Sequence, residues 1–435
     1  MGDTQRSQTI STELQQIAEL AVRNPGKVFT SLMYRVDEDF LKEAYRQVNK
    51  TALPGLDGMT AQEYAVNLDE NLHNLYEKMR NGQYVAPPVK RIWLDEEKGK
   101  RRPIGIPEIE DKIVQRAVAM LLEAVYEQDF YDFSHGYRKG HSPHQALREL
   151  REQCLRLNIN WIVDADVSGF FNNLDHGKMR EIIKQRVNDG GVIRYIGKWL
   201  NAGVVDGETL SYPEKGTLQG GVISPILANI YLHHVLDEWF VKEVQPRLKG
   251  RSFLLRFADD FIIGCELESD ARRVMAVLSK RLGRFGLSLH PEKTRLVEFG
   301  KPPNHQKKGK GTFDFLGFTH YWAKSRRGDW VIKRKTARKR LRRAMKKAWH
   351  WCRQNRHEPP NEQYRKLCLK LIGHYRYYGV RSNYRAMEKL YWHVVAAWRY
   401  WLSRRSQKGR ITMEKFEVIH LIYPLPRPRI IHTNI

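Results

Sequence analysis

Two apolar, β-branched segments that carry aspartates constrain the fold of this chain more than any other feature. One segment covers residues 160–167 and contains Asp166, and the other covers residues 253–264, where Asp259 and Asp260 separate two apolar runs. A carboxylate in a buried strand lowers stability unless a partner compensates it. An Asp-Asp pair alone is also typical of a hairpin turn, but two strands that each deliver a carboxylate favour a shared site.

Such a cluster of carboxylates would repel itself unless it bound divalent cations. Two hard cations about 4 Å apart suit in-line phosphoryl transfer, because one activates the attacking hydroxyl and the other stabilises the leaving oxygen. The pattern therefore predicts nucleotidyl transfer or nucleic-acid cleavage.

The charge of the chain is concentrated in its last third. Residues 301–435 hold 34 Lys and Arg against 7 Asp and Glu, whereas residues 1–300 hold 41 against 42. A field of one sign favours a polyanionic partner, most often nucleic acid and less often an anionic membrane surface. It argues against an enzyme that acts only on small neutral substrates, and a generally cationic protein would spread its charge evenly.

The composition points to a globular protein of the cytoplasm. No run of 18 apolar residues occurs and the N-terminus is polar, so we expect neither a membrane span nor a secretory signal. The four cysteines stand far apart, which excludes a compact zinc ribbon and fits a reducing compartment.

The periodicity of apolar residues predicts the order of elements. We place a domain boundary within residues 300–335 and expect the chain beyond it to be helical. Helices are predicted at 10–50 with a break at 24–26, at 60–80, 109–130, 222–244 and 268–285, and a strand at 87–94.

Several motifs in the same order resemble those of reverse transcriptases. Residues 257–260 (Phe-Ala-Asp-Asp) resemble the aromatic-x-Asp-Asp box, residues 166–176 the first acidic motif, and residues 216–229 the nucleotide-contacting motif between them. Further segments resemble motifs of the group II intron reverse transcriptases, so that the resemblance covers nearly the whole chain. These segments are residues 54–58, 102–107, 111–115, 134–140, 290–294 and 315–317.

The resemblance implies an α+β, right-hand polymerase fold. It implies an N-terminal extension and fingers in residues 1–160, a palm with an antiparallel sheet and fingers insertions in 161–320, and a basic helical thumb and maturase-like RNA-binding domain in 321–435. The implied activity is RNA-directed DNA synthesis from a primer 3′-hydroxyl. The implied partners are an RNA template, a primer, deoxynucleoside triphosphates and structured intron RNA, with no membrane.

The resemblance also implies the residues of the catalytic centre. Asp166 and Asp259 would bind two Mg²⁺ ions, for which Mn²⁺ could substitute, with help from the Val167 carbonyl and with Asp260 as a weaker ligand. Lys293 would protonate the leaving pyrophosphate; the alternative is a plain surface lysine.

Other positions would bind the nucleotide and the nucleic acid. Phe171 would exclude a ribose 2′-hydroxyl, unless it is simply a core residue like its neighbour. The remaining assignments are Lys100, Arg102, Gln219 and Gly220 for the nucleotide, Phe315, Leu316 and Gly317 for a primer grip, and Arg338, Arg342 and Lys346 for nucleic acid. For Lys100 and Arg102 the alternative is solvated surface, and for residues 315–317 it is a simple hairpin.

Two alternatives remain open at this level. One is a maturase that assists RNA splicing without polymerising, against which the intact aspartates argue. The other is a host-adopted relative that acts in repair or antiviral defence. Residues 219–225 argue against it, because their sequence favours the intron lineage. Ser168 and Asn172 depart from the usual intron pattern by removing charges. No nuclease-like or zinc-ligand segment follows Pro428, so we expect no nicking of a DNA target.

Overall fold

The chain folds as an α+β protein, as the sequence predicts. The computed structural model describes residues 2–95, 101–212, 214–217, 220–306, 309–405 and 411–433. The helices are α1 (Gly2–Arg23), α2 (Glu38–Gln47), α3 (Ala61–Tyr64), α4 (Leu68–Arg80), α5 (Ile109–Tyr126), α6 (Pro143–Arg156), α7 (Phe170–Asn173), α8 (His176–Lys184), α9 (Gly190–Leu200), α10 (Ser224–Leu232), α11 (Glu268–Arg284), α12 (Arg338–Gln354), α13 (Pro360–Tyr378), α14 (Tyr384–Leu402) and α15 (Met413–Ile422).

The strands form three sheets. They are β1 (Val89–Asp95), β2 (Arg101–Ile106), β3 (Trp161–Asp166), β4 (Val204–Asp206), β5 (Thr209–Ser211), β6 (Ser252–Phe257), β7 (Asp260–Cys265), β8 (Arg295–Glu298), β9 (Phe313–Phe315), β10 (Phe318–Lys324) and β11 (Trp330–Thr336). The palm sheet is antiparallel with the order β6-β7-β3-β8, the fingers sheet has the order β2-β1-β4-β5, and a third sheet has the order β11-β10-β9.

The palm sheet is covered on both faces. In β3, Val163 belongs to a large core shared with the N-terminal helices, whereas Ile162 belongs to a second core formed with the third sheet. The same division separates Ile263 from Ile262 in β7. Burial on both faces explains why β6 and β7 contain continuous apolar runs, at residues 253–255 and 261–263, rather than an alternating pattern.

Most predicted helices are found with small shifts at their ends, but the first differs more. The predicted helical region 10–50 is α1 and α2, and the predicted break at 24–26 is the start of a longer segment, residues 24–37, that contains no α-helix. The predicted helix at 222–244 begins as α10 and continues through π-helical turns at His233–Glu238 and Phe240–Val244.

The expectation that the chain is helical beyond residue 321 is wrong at its start. Residues 321–336 complete β10 and form β11, which pair along their whole length from Phe318↔Thr336 to Lys324↔Trp330. Alternate residues such as Trp322, Ile332 and Arg334 are buried. The basic helix begins only at Arg338, and helices α12 to α15 enclose a third core.

A buried carboxylate fastens the N-terminal segment to this scaffold. Asp189 caps α9 by accepting from the Val192 N–H, and it also accepts from the backbone N–H groups of Leu32 and Met33, at 2.6 and 3.0 Å. Among the described helices, none is long and apolar enough to cross a bilayer.

Candidate active site

The strand register brings the predicted aspartates together. β3 and β7 pair antiparallel with Asp166 directly opposite Asp260. Side chains of directly opposite residues lie on the same face of a sheet. Asp259 immediately precedes β7, in the tight turn that joins it to β6. Asp164, two residues before Asp166 on the same face of β3, forms an ion pair with Arg295 at 3.0 Å.

The carboxylates interact unfavourably with one another. Burial raises the pKa of Asp259, the charge of Asp166 raises it further, and the positive charge of Arg102 opposes both effects. Burial is also the main cause that raises the pKa of Asp260 to about 7, with additions from the charges of Asp164, Asp259 and Asp166. A cation near these groups would favour their ionised forms.

Lys293 supplies one such cation. Its Nζ lies 2.5 Å from Asp166 Oδ2, although both side chains are partly exposed. The segment that carries Lys293 is tied to β3, because the His290 N–H donates to the Asp166 carbonyl at 2.7 Å. Val167 is buried and forms a bridge with Leu289 in the same segment.

The carboxylates at this site are oxygen donors of the kind that hard divalent cations prefer. Among the residues that the structure describes, no group of three or more His, Cys, Asp and Glu side chains is arranged to hold a metal ion alone. Mg²⁺ in phosphate-transfer sites is usually held by one or two carboxylates together with substrate phosphates, however. The mutually repelling carboxylates at the ends of β3 and β7 provide such hard oxygen ligands.

A buried arginine, which no motif in the sequence predicted, supports the turn that carries Asp259. Arg256 is fully buried, pairs with the fully buried Asp237 at 2.6 Å, and donates to Asn229 Oδ1 and to the Ala258 carbonyl at 2.9 and 3.1 Å. Ala258 has a φ of 58°, which is costly for a residue with a side chain. The only available signal was a charged residue inside an apolar strand.

A loop packs against the same turn from the outside. Asn229 Nδ2 donates to the Gly136 carbonyl at 2.8 Å, and the His135 N–H donates to the Arg256 carbonyl at 2.9 Å. Gly136 lies so close that an added methyl group would be 2.1 Å from the Ala258 nitrogen. Helix, loop and strand together leave this turn little freedom.

Phe171 lines a cavity of about 330 Å³ beside the palm. The cavity wall also contains Pro103 and Gly105 of the fingers hairpin β1–β2, as well as Gly216 and Thr217. Phe171 itself is buried, and Phe170 packs beside it against Tyr231 instead of lining the cavity.

Three hydrogen bonds join the Phe171 segment to the loop that contains Gly216. The Thr217 N–H donates to the Phe171 carbonyl and the Gly216 N–H to the Leu174 carbonyl, both at 2.7 Å. His176 Nε2 lies 2.6 Å from the Gly216 carbonyl and donates to it. His176 is the last residue of the motif at 166–176, but only the fold shows that it contacts Gly216, which lies 40 residues further along the chain.

The fingers hairpin approaches this loop at Gly220. A methyl group on Gly220, whose φ is 109°, would lie 2.5 Å from the Gly105 carbonyl oxygen, so the position requires glycine. Arg102 lies on β2 in the same hairpin. Lys100 and Gln219, both predicted to bind the nucleotide, lie outside the described residues.

The predicted primer grip is the two-residue turn between β9 and β10. Leu316 and Gly317 both have positive φ, 48° and 77°, and Phe315 pairs with Phe318 across the turn. This is the geometry of a tight hairpin turn. Tyr377 donates its hydroxyl hydrogen to the Leu316 carbonyl at 2.9 Å, which fixes the turn from α13.

The predicted nucleic-acid-binding cations lie on one face of α12. Arg338, Arg342 and Lys346 are exposed and follow each other at intervals of four residues, and α12 contains no acidic residue. Arg334, in contrast, is buried in β11, so it is unavailable to a ligand.

Comparison with known proteins adds to this geometry. Residues 90–320 match the family described as reverse transcriptase (RNA-dependent DNA polymerase). Protein YkfC of Escherichia coli K12 is 29% identical over 359 residues, which cover 74% of this chain and 90% of that protein. The group II intron-encoded protein LtrA of Lactococcus lactis is 34% identical over 244 residues, which cover 55% of this chain and 40% of LtrA.

We expect Gly136→Ala to disturb the turn that carries Asp259. The added methyl group must displace the Ala258 backbone or its own loop, and overpacking of this kind costs about 1–3 kcal/mol of unfolding free energy. Chemical denaturation measures the cost. Gly26→Ala is the matched control, because nothing lies within 4 Å of the added group. Equal stability of the two variants would contradict the close packing of this turn.

Proposed function

Because this chain belongs to the reverse transcriptase family, we propose that it extends a primer 3′-hydroxyl with deoxynucleoside triphosphates on an RNA template. The observation that carries the proposal is the register of β3 and β7, which sets Asp166 opposite Asp260 with Asp259 beside them. The family match covers all three aspartates.

Asp166 and Asp259 would bind two Mg²⁺ ions, with the Val167 carbonyl as a further ligand and Asp260 as a weaker one; Mn²⁺ could replace Mg²⁺. The bound ions would activate the primer hydroxyl and stabilise charge on the leaving phosphate oxygen. The repulsion among these carboxylates supports the assignment, because a divalent cation relieves it.

Lys293 acts as the acid that protonates the leaving pyrophosphate. Its Nζ lies 2.5 Å from Asp166 Oδ2, so the ammonium group is held at the catalytic face of the sheet. A lysine ammonium is a proton donor that also neutralises charge on a departing phosphate.

Nucleotide selection depends on the cavity that Phe171 lines. Phe171 lies beneath the sugar and excludes a 2′-hydroxyl, while Gly220 permits close approach of the backbone. Arg102 binds triphosphate oxygens, together with Lys100 and Gln219. The hydrogen bonds from Thr217 and His176 support this assignment, because they keep the Phe171 segment and the Gly216 loop in one arrangement.

The primer and template are held by the C-terminal half. The turn at Phe315, Leu316 and Gly317 holds the primer end, and Arg338, Arg342 and Lys346 of α12 contact the duplex. In domain terms, residues 1–160 are the N-terminal extension and fingers, residues 161–320 the palm with fingers insertions such as β4 and β5, and residues 321–435 the thumb and maturase-like domain, with β10 and β11 linking palm and thumb.

Structured intron RNA is the proposed natural partner. LtrA is named a group II intron-encoded protein, and a further relative, 30% identical over 121 residues that cover 26% of this chain and 17% of that protein, is named nuclear intron maturase 1 of Arabidopsis thaliana. The excess of 34 basic over 7 acidic residues in 301–435 fits a large RNA. Splicing assistance and intron mobility therefore form part of the proposal.

Asp259→Ala is expected to abolish Mg²⁺-dependent primer extension, because it removes a metal ligand, while RNA affinity stays within about twofold of wild type. Primer extension on an RNA template and filter binding measure the two effects. Asp69→Ala, at a surface ion pair with Lys42, serves as the control and should retain activity. Loss of RNA binding by Asp259→Ala would contradict the division between palm and thumb.

Phe171→Ala is expected to increase ribonucleotide incorporation relative to deoxyribonucleotides by about tenfold or more, since a steric contact in a pocket contributes discrimination of this size. The ratio of kcat/KM for the two nucleotide types measures it. Phe170→Ala should lower stability but leave the ratio unchanged, because Phe170 does not line the cavity. An unchanged ratio in Phe171→Ala would remove the assignment.

Replacement of Arg338, Arg342 and Lys346 by alanine is expected to reduce the slope of log affinity against log salt by about 2 to 3, if each cation neutralises one phosphate. Titrating a template–primer duplex at several salt concentrations measures the slope. The rate constant at saturating duplex should change little, because the chemical step lies in the palm. An unchanged slope would place the duplex elsewhere.

A further inference from the structure

Helix α5 buries two polar side chains, Asp111 and Gln115, that belong neither to the aspartate cluster nor to the wall of the nucleotide cavity. Both lie in the motif at residues 111–115, and they are 2% and 1% exposed. Their spacing of four residues places them on one face of the helix, where Gln115 Nε2 donates to Asp111 Oδ2 at 2.9 Å. A buried carboxylate and a buried amide lower stability unless their polar atoms have partners, so their other contacts indicate what the pair does.

Asp111 accepts hydrogen bonds from neutral donors on its other side. Its Oδ1 accepts from Trp199 Nε1 at 2.7 Å and from the Tyr84 hydroxyl. Burial raises the pKa of Asp111 to about 6, although its three hydrogen-bond donors oppose the rise. The carboxyl is therefore mainly ionised at neutral pH, and an ionised carboxyl only accepts hydrogen bonds.

The orientation of the Gln115 amide follows from this contact. Because Asp111 only accepts, the amide turns its NH₂ group toward the carboxylate and its carbonyl oxygen away from it. Gln115 Oε1 then accepts from the backbone N–H of Ile223 at 3.2 Å, across 108 residues of sequence. Asp111 thus decides, through one amide, which atom is presented to Ile223.

Ile223 lies where the loop that starts at Gly216 meets α10. It is the N-cap residue of that helix and provides no side-chain cap, so the contact with Gln115 fixes this end of the loop from another helix. The two ends of the loop are also joined to each other, because Thr217 Oγ1 lies 3.1 Å from Ser224 Oγ.

The anchored loop borders the nucleotide cavity. Gly216 and Thr217 line the cavity together with Phe171, whose carbonyl accepts from the Thr217 N–H. Gly220, between the two anchors, packs against the fingers hairpin, where an added methyl group would lie 2.5 Å from the Gly105 carbonyl oxygen. A displacement at the α10 end would therefore move the part of the loop that is proposed to contact the nucleotide.

We propose that Asp111 and Gln115 are positioning residues for nucleotide binding, which hold the loop of residues 216–223 in its binding arrangement through the backbone N–H of Ile223. Asp111 orients the amide of Gln115, and the amide fixes the loop. The inference rests on the proposed function, because it assumes that this loop receives a deoxynucleoside triphosphate. A purely stabilising role is the alternative, and it predicts lower folding stability without a specific loss of nucleotide binding.

The test exchanges the two functional groups in the full chain. In Asp111→Asn the new amide must keep its oxygen toward Trp199, which only donates, so its NH₂ group opposes that of Gln115. The Gln115 amide then turns over and withdraws its oxygen from Ile223. Gln115→Glu instead places two carboxylates against each other.

The double variant Asp111→Asn/Gln115→Glu restores the sequence of hydrogen bonds. The new amide at position 111 donates to the new carboxylate at position 115, and that carboxylate accepts from the Ile223 N–H. The net charge of the pair is the same as in the wild-type chain, because the carboxylate has only moved by one link.

At saturating template–primer, we expect each single variant to raise the KM for deoxynucleoside triphosphate by about tenfold, the effect of one lost buried hydrogen bond. The value of kcat should change by less than about threefold, because the loop binds the nucleotide in the ground state as well. The double variant should return KM to within about twofold of wild type. Hydrogen–deuterium exchange of peptides that contain Ile223 should be faster in both single variants and normal in the double variant.

Gln363→Met is the matched control for Gln115→Met. Gln363 is also 1% exposed, and it accepts from Trp398 Nε1 at 2.9 Å in the core of the C-terminal helices. Methionine occupies similar space without the amide oxygen, so both variants should lower the midpoint of urea unfolding. Only Gln115→Met should also raise the KM for nucleotide, and it replaces Asp111→Asn if that variant does not fold.

The inference is overturned if the single variants keep the wild-type KM, if the double variant does not restore it, or if Gln363→Met raises it equally. Failure of the wild-type chain to extend a primer would instead refute the proposed function. Hydrogen exchange would then still test the pair, since equal exchange at Ile223 in all variants would refute its hold on the loop.

Discussion

The antiparallel pairing of β3 with β7 is the interaction on which the rest of the structure depends. Its register alone sets Asp166 opposite Asp260 and places Asp259 at the adjoining turn. A shift of one residue would move every side chain of a strand to the opposite face of the sheet. Because the face opposite the carboxylates packs into the large core through Val163 and Ala165, such a shift would bury Asp164 and Asp166 among apolar side chains. The packing therefore maintains the position of the carboxylates.

A buried ion pair also helps to hold the carboxylates in position. Arg256 and Asp237 form a fully buried ion pair, in which removal of either partner would leave an uncompensated charge. Through Asn229 and the Ala258 carbonyl, Arg256 joins the α10 helix, the Gly136 loop and the turn before Asp259. The left-handed conformation of Ala258 persists because these neighbours determine it. Stability and the geometry of the carboxylates thus rest on the same contacts.

Charged residues are distributed differently in the palm and in the C-terminal part of the chain. The palm concentrates negative charge at one edge, where Lys293 and Arg102 are among the cations that act on it. The exposed face of α12 carries cations without acids, as the sequence predicted. However, the helix starts later than expected, because residues 321–336 alternate between buried and exposed positions as strands do. Their basic and aromatic composition concealed that alternation when the segment was interpreted as a helix.

The sequence by itself determined the class of fold and which three aspartates lie together at the ends of the palm strands. It also determined the contrast in charge between the neutral residues 1–300 and the basic residues 301–435. These properties are local, since apolar periodicity, charge and short motifs can be counted along the chain. Only the tertiary structure decided which distant residues meet. His176 contacts Gly216, Tyr377 contacts Leu316, and Arg256 contacts Asp237. These contacts depend on strand register and helix packing, which are fixed by the burial of the whole core and leave no separate signature in any one segment.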